Sequence, residues 1–172
     1  MSQDRAVASE QGITLRSPDG STARFHIERG SPIDAWRLAG KIAEFGGEAE
    51  SYGQEVYRQR LAGASALVLI AMLEGRPVGF KAGYDRYLDG SWYSWMGGVL
   101  EPWRGRGIAQ YLLEAQEAWV RRQGYRQLYV KTRNRHKRMI AFLAVNDYDI
   151  LRVEEKSTVS ESRILFGKAL DG

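Results

Sequence analysis

The chain contains no cysteine, which excludes disulfides and cysteine-ligated metals. No apolar run approaches the roughly 20 residues of a membrane-spanning helix. The first residues, Met-Ser-Gln-Asp-Arg, hold no apolar block of the kind a secretory signal carries. Together these absences point to a soluble, cytoplasmic protein. No glycine loop is followed by Lys and Ser or Thr, so there is no Walker site, and no third spaced glycine completes a dinucleotide fingerprint. Histidine is scarce, with two in all, and His26 stands in a strand-like run without ligand-type neighbours. It is assigned no role, and no metal site is expected.

What is present is an ordinary globular composition of 172 residues, 44% hydrophobic and 27% charged, long enough for one domain with a substantial core. The net charge of +4 is unevenly placed. Residues 103–138 hold 10 Lys or Arg against 2 Asp or Glu, net +8, whereas the segments on either side are each net −2. Such a block suits either a polyphosphate pocket or a nucleic-acid footprint.

Ile13–Arg16 and Thr22–Glu28 read as strands around a Pro-Asp-Gly turn, with the first dozen residues loose. Ser31-Pro32 opens a helix whose apolar stripe runs through Ile33, Trp36, Leu38, Ile42 and Phe45 to a stop at Gly46-Gly47. A shorter helix is predicted over Gln54–Leu61, and the polar stretch between the two reads as a loop over a site. The acids Glu44, Glu48, Glu50 and Glu55 gather there, either as a solvated helix end or to capture a cationic substrate. Three strands follow as a meander: 66–73, 78–84 and 91–100. In the third, strict alternation places Tyr93, Trp95, Gly97 and Val99 on one face and Ser94, Met96 and Gly98 on the other. Two glycines inside a strand mark either a bulge or the close approach of a ligand or another backbone. A helix from Ile108 to Gln123, a parallel strand from Gln127, a helix through Met139–Val145 and a closing hairpin, 148–154 and 163–169, complete the order.

Between the third meander strand and the long helix lies Val99-Leu-Glu-Pro-Trp-Arg-Gly-Arg-Gly-Ile-Ala109. Gly105 and Gly107 can turn consecutive N–H groups toward one anion, the helix start adds its positive dipole, and Arg104 and Arg106 add charge. The segment fits Gln/Arg-x-x-Gly-x-Gly/Ala, five residues after a strand-ending valine.

With this motif in this order of elements, the chain resembles the GCN5-related N-acetyltransferase (GNAT) superfamily from about Thr22 to Leu170. The resemblance implies a single-domain α/β fold. Its central sheet is mixed and mostly antiparallel with a V-shaped splay, and helices cover both faces. Residues 1–21 become an extension with an added strand and 22–172 the N-acetyltransferase domain. It implies acetyl-CoA as cosubstrate, its pyrophosphate cradled by Arg104, Gly105, Arg106, Gly107, Ile108 and Ala109. Val99 and Leu100 stand at the pantetheine arm and thioester. The partner implied is an amine acceptor, a small molecule or a peptide, and a homodimer is left open as the assembly.

The catalytic positions depart from the family pattern. The frequent glutamate six residues before the valine is Tyr93, which leaves Asp85 or a water chain as base. The usual tyrosine acid is Leu143, which cannot donate a proton. Asn134 matches the family's asparagine, with His136 competing for that alignment, and Glu101 stands where proline is usual. The basic run Lys131, Arg133, Arg135, Lys137, Arg138 suits the cofactor's 3′-phosphate better than nucleic acid, because the aromatics lie elsewhere, at Tyr84, Tyr87, Trp92, Tyr93 and Trp95. Some of these can wall an acceptor pocket for a cationic or aromatic amine. The expected reaction is acetyl transfer by direct attack of an amine. The alternatives are an acyl-CoA sensor without turnover and a nucleic-acid-associated basic protein.

Overall fold

Residues 66–73, Ala-Leu-Val-Leu-Ile-Ala-Met-Leu, are apolar throughout, and a strand of that composition needs cover on both faces. The computed structural model, which describes residues 12–16, 19–45 and 52–170, supplies it. The strands are β1 (Ile13–Arg16), β2 (Thr22–Arg29), β3 (Ala66–Leu73), β4 (Arg76–Tyr84), β5 (Ser91–Val99), β6 (Gln127–Arg133), β7 (Asp149–Glu154) and β8 (Arg163–Ala169). They form one mixed sheet in the order β1-β2-β3-β4-β5-β6-β8-β7. Among the described residues four helices cover it: α1 (Pro32–Ala39), α2 (Gln54–Leu61), α3 (Ile108–Arg122) and α4 (Lys137–Val145).

Each face has its own core. Ala35, Leu38 and Ala39 of α1 and Tyr57 and Leu61 of α2 pack on Val68, Ile70, Phe80, Tyr93 and Trp95. On the opposite face, Ile108, Leu112, Trp119 and Val120 of α3 and Leu143 of α4 pack on Leu67, Leu69, Trp92, Val99, Leu128 and Phe166. The single α/β domain expected from the sequence is therefore present, with helices on both faces.

α1 begins with a capping box: Ser31 accepts from the N–H of Asp34, and the Asp34 carboxylate accepts from that of Ser31. It ends earlier than the apolar stripe suggests. Gly40 caps it, and Phe45 belongs to a separate 3₁₀ turn, Ala43–Phe45. A glycine within the stripe breaks a short helix whose remaining turn is fixed by packing rather than by propensity. The loose N-terminus and the loop predicted over the site, with Glu48 and Glu50, lie outside the described residues.

Two features of β5 set up the site. β5 pairs in parallel with β6 only from Ser91 opposite Gln127 to Ser94 opposite Val130. Beyond that β5 keeps only β4 as neighbour, while β6 continues with β8 as far as Arg133. The sheet thus splays, and the β6-facing edge of Trp95–Val99 is left without a strand partner. The second feature corrects the strict alternation expected for β5. Ala82 opposes Met96 but Gly83 opposes Ser94, so Trp95 is an extra, bulged residue. The parity reverses there. Met96 shares the α1/α2 face with Tyr93 and Trp95, a Cβ on Gly98 would point at Ile42 of that face, and Val99 lies on the other. The glycine pair follows the bulge and also serves close packing, since a Cβ on Gly97 would stand 3.2 Å from Lys81 Cγ and one on Gly98 2.7 Å from Ile42 Cδ1.

Candidate functional site

The splay opens into a cavity of about 770 Å³, within the range of small-molecule and cofactor sites. Its walls are β5 from Tyr93 to Val99, β6 from Val130 to Arg133, the loop and first residues of α3, and the start of α4.

The loop is shaped as its glycines predict. Gly105 and Gly107 take φ of 76° and 78°, in the left-handed region that other residues avoid, and Gly107 is the N-cap of α3. No side chain caps this helix, and the N–H groups of Gly105, Gly107, Ile108, Ala109 and Gln110 find no acceptor among the described residues. A row of free amides at the positive end of a 15-residue helix, facing a cavity, is suited to hold an anion. The two arginines behave differently. Arg104 donates from Nε to the Val99 carbonyl (2.9 Å) and from both terminal nitrogens to the Glu44 carboxylate (2.7 and 2.9 Å). Its guanidinium clamps the loop to the turn after α1, and that hydrogen bond holds the Glu44 carboxyl below its usual range. Of the two described acids of that group, Glu44 makes this clamp and Glu55 accepts from Gln59 Nε2 within α2. Arg106 lies over the Trp103 ring, 5.1 Å from its centroid. Val99 lines the cavity, whereas the N–H of Leu100 is turned away, toward the Val78 carbonyl.

The structure separates the two residues considered for proton transfer. Tyr93 is buried, lines the cavity, and has its phenol pushed up to about 12, first by burial. Asp85 is not among the lining residues; it accepts from Tyr125 Oη and from the N–H of Leu88, both at 3.0 Å. Leu143 is fully buried in the core. Asn134 is also outside the lining, its amide held by the Val159 carbonyl and by Lys137 Nζ, while the neighbouring His136 does line the cavity at the N-terminus of α4. Burial, then Arg135 and Arg133, lowers the His136 pKa, which favours the neutral ring.

The basic run is largely engaged. Lys131 pairs with Glu154 at 2.9 Å, and Arg133 and Arg135 both pair with Glu161, at 3.3 and 2.7 Å. Of the aromatics, Tyr93 and Trp95 line the cavity together with Tyr52. Arg60 stacks over Tyr52 and Trp95, 4.9 and 4.8 Å from the centroids, and Arg86 over Tyr93 at 4.9 Å.

Two cavity residues carry no signal in the sequence pattern. Lys81 and Ser94 are buried on neighbouring strands and both line the cavity. Only the strand register, which sets Lys81 opposite Gly97, brings them to the splay.

A split parallel strand pair with an unsatisfied helix start at its mouth is an arrangement suited to an elongated, phosphate-bearing ligand. Residues 34–146 match the model of the acetyltransferase (GNAT) family, and the chain belongs to that family. No curated protein matches it in sequence. Among solved structures, the ribosomal-protein-S18-alanine N-acetyltransferase of Escherichia coli is similar at a TM-score of 0.73 and 12% identity, over 86% of this chain and 95% of that one. Arabidopsis thaliana NAA60, solved with a bisubstrate analogue, gives 0.69 and 16% over 86% and 99%. Salmonella typhimurium yncA, solved with its cofactor acetyl-CoA, gives 0.66 and 17% over 86% and 94%. These likenesses are of fold.

Proposed function

We propose that this protein transfers an acetyl group from acetyl-CoA to a primary amine of a small molecule or peptide. The observation that carries the reading is the uncapped start of α3, with Gly105 and Gly107 at positive φ, set at the mouth of the splay. The residues present fit the cosubstrate. The amides of 105–109, with Arg106, would hold its pyrophosphate, and the unpaired edge of Gly97–Val99 would hold the pantetheine arm by strand-like hydrogen bonds. Bound there, acetyl-CoA supplies the acyl group as an activated thioester.

The chain's own part is orientation and proton handling. Tyr93, with its phenol kept protonated, accepts a hydrogen bond from the incoming amine N–H or holds a water beside it. Asp85 stands behind Tyr125 and would act only at the far end of a water chain. The acceptor side is the aromatic wall of Tyr52, Tyr93 and Trp95, whose ring faces are already taken by Arg60 and Arg86. That positive charge argues against a polycationic acceptor. The engaged state of Lys131, Arg133 and Arg135 likewise argues against a nucleic-acid surface.

The test is calorimetric titration with acetyl-CoA, followed by thiol release over a panel of amines. Gly107→Val forces a β-branched residue to φ near 78° although the space beside it is open, the nearest atom, Tyr111 Cε2, lying 3.9 Å away. It is expected to weaken acetyl-CoA binding at least a hundredfold with the far-UV circular dichroism of wild type. Unchanged affinity would overturn the loop assignment. The buried Leu143 favours a second reading, a sensor that binds acetyl-CoA without turnover. Tight binding with no thiol release over the whole panel would select it.

A further inference from the structure

Lys81 is a cation in an unusual position. It is 8% exposed, lies on β4 opposite Gly97 of the splayed edge, and lines the cavity. It makes no hydrogen bond or ion pair among the described residues. The charged group that acts on it is Glu117 of α3, whose carboxylate is already occupied by Lys168 Nζ at 3.1 Å, Tyr148 Oη at 2.9 Å and Arg121 at 3.4 Å. Gln116, the other buried polar side chain of this part of α3, is partnerless at both amide atoms and so does not serve Lys81 either. From β5, Ser94 brings a hydroxyl and Gly97 no side chain at all. A largely buried ammonium is costly to keep, and the fold keeps this one against the wall of the cavity.

Every acyl transfer from a thioester must deal with the departing thiolate, whatever the acceptor. The buried Leu143 cannot supply a proton there. We propose that Lys81 stabilises the coenzyme A thiolate as it leaves and returns it to the thiol by donating a proton from Nζ. This rests on acetyl-CoA being the cosubstrate. As the acceptor nitrogen bonds to the acyl carbon, the carbon–sulfur bond breaks. The sulfur takes the Nζ proton, and the proton lost by the acceptor nitrogen restores the ammonium through water. Burial pushes the Lys81 pKa down to about 8, which makes its ammonium a far better acid than an exposed lysine and close to an ordinary thiol in strength. The cavity groups on the other side of the sheet, Tyr93 and Trp95, face away from it.

The test needs no acceptor. The thiol of bound coenzyme A is titrated by its ultraviolet thiolate absorbance on wild type, Lys81→Met and Lys81→Arg. Lysine Nζ resonances are followed by ¹⁵N NMR with and without coenzyme A. On wild type the bound thiol should titrate at least one pH unit below free coenzyme A, and the Lys81 resonance should move reciprocally upward, as two groups sharing a proton do. K81M should bind coenzyme A within tenfold of wild type and lose the shift; K81R, which keeps charge, should retain most of it. Superimposed titrations of wild type and K81M, or a Lys81 resonance unmoved by coenzyme A, would overturn the proposal while leaving the cosubstrate reading intact. Failure of wild type to bind coenzyme A would overturn both.

Discussion

A desolvated ammonium leaves a mark on stability as well as on chemistry. Lys81 titrates near 10.5 in an unfolded chain and near 8 in the native fold. Between those values the unfolded chain binds more protons, so native stability rises with pH across that window; below it the full penalty, roughly 3 kcal/mol, is present. K81M should therefore be more stable than wild type by about that amount at pH 7, with the gap closing as pH rises past 8 toward 10.5 in urea denaturation. Glu44 shows the opposite sign. Its lowered carboxyl pKa means that the Arg104 pairing contributes above the ordinary value of 4.5 and is lost as pH falls through the native one. Both side chains are partly solvated, so Glu44→Gln should change stability by less than about 1 kcal/mol at pH 7. The pairing joins residues 60 apart in sequence, and nothing local in either segment announces it.

At the scale of elements, the predicted strands and helices lie within two residues of those observed, apart from the early stop of α1. Period-two and helical spacing are set by local geometry, so they can be read from residues alone. The Trp95 bulge cannot, because an inserted residue leaves the composition of a strand unchanged and shows only against its partner. The same limit hid Lys81, whose strand reads as a plain partner in a meander until register places it opposite Gly97. The glycine loop was legible because its conformation depends on its own residues. Close packing around the bulge gives a further expectation. A Cβ on Gly83 would lie 2.2 Å from the Trp92 ring and 2.3 Å from the Tyr93 carbonyl oxygen, and the backbone oxygen has little freedom to retreat. Gly83→Ala should cost about 2–3 kcal/mol in urea denaturation, with a loss of near-UV tryptophan dichroism.

Taken as a whole, the molecule concentrates its excess positive charge in residues 103–138 and engages three of those cations, Lys131, Arg133 and Arg135, with Glu154 and Glu161. Among the described residues no helix is long and apolar enough to cross a membrane. Retention on a polynucleotide column at low salt should therefore be weak, and millimolar coenzyme A should release it, because both anions would compete for the start of α3. Retention that coenzyme A leaves unchanged would restore the nucleic-acid reading.

The extra residue at Trp95 gives β5 a division of labour that a regular strand could not have. Tyr93, Trp95 and Met96 reach the cavity on one face of the strand, and the bare backbone of Gly97 faces Lys81 on the other. Length is then the protected quantity in this segment: many exchanges of one side chain for another leave the two compartments where they are. A single insertion between the bulge and Gly97 would carry Gly97 to the aromatic face.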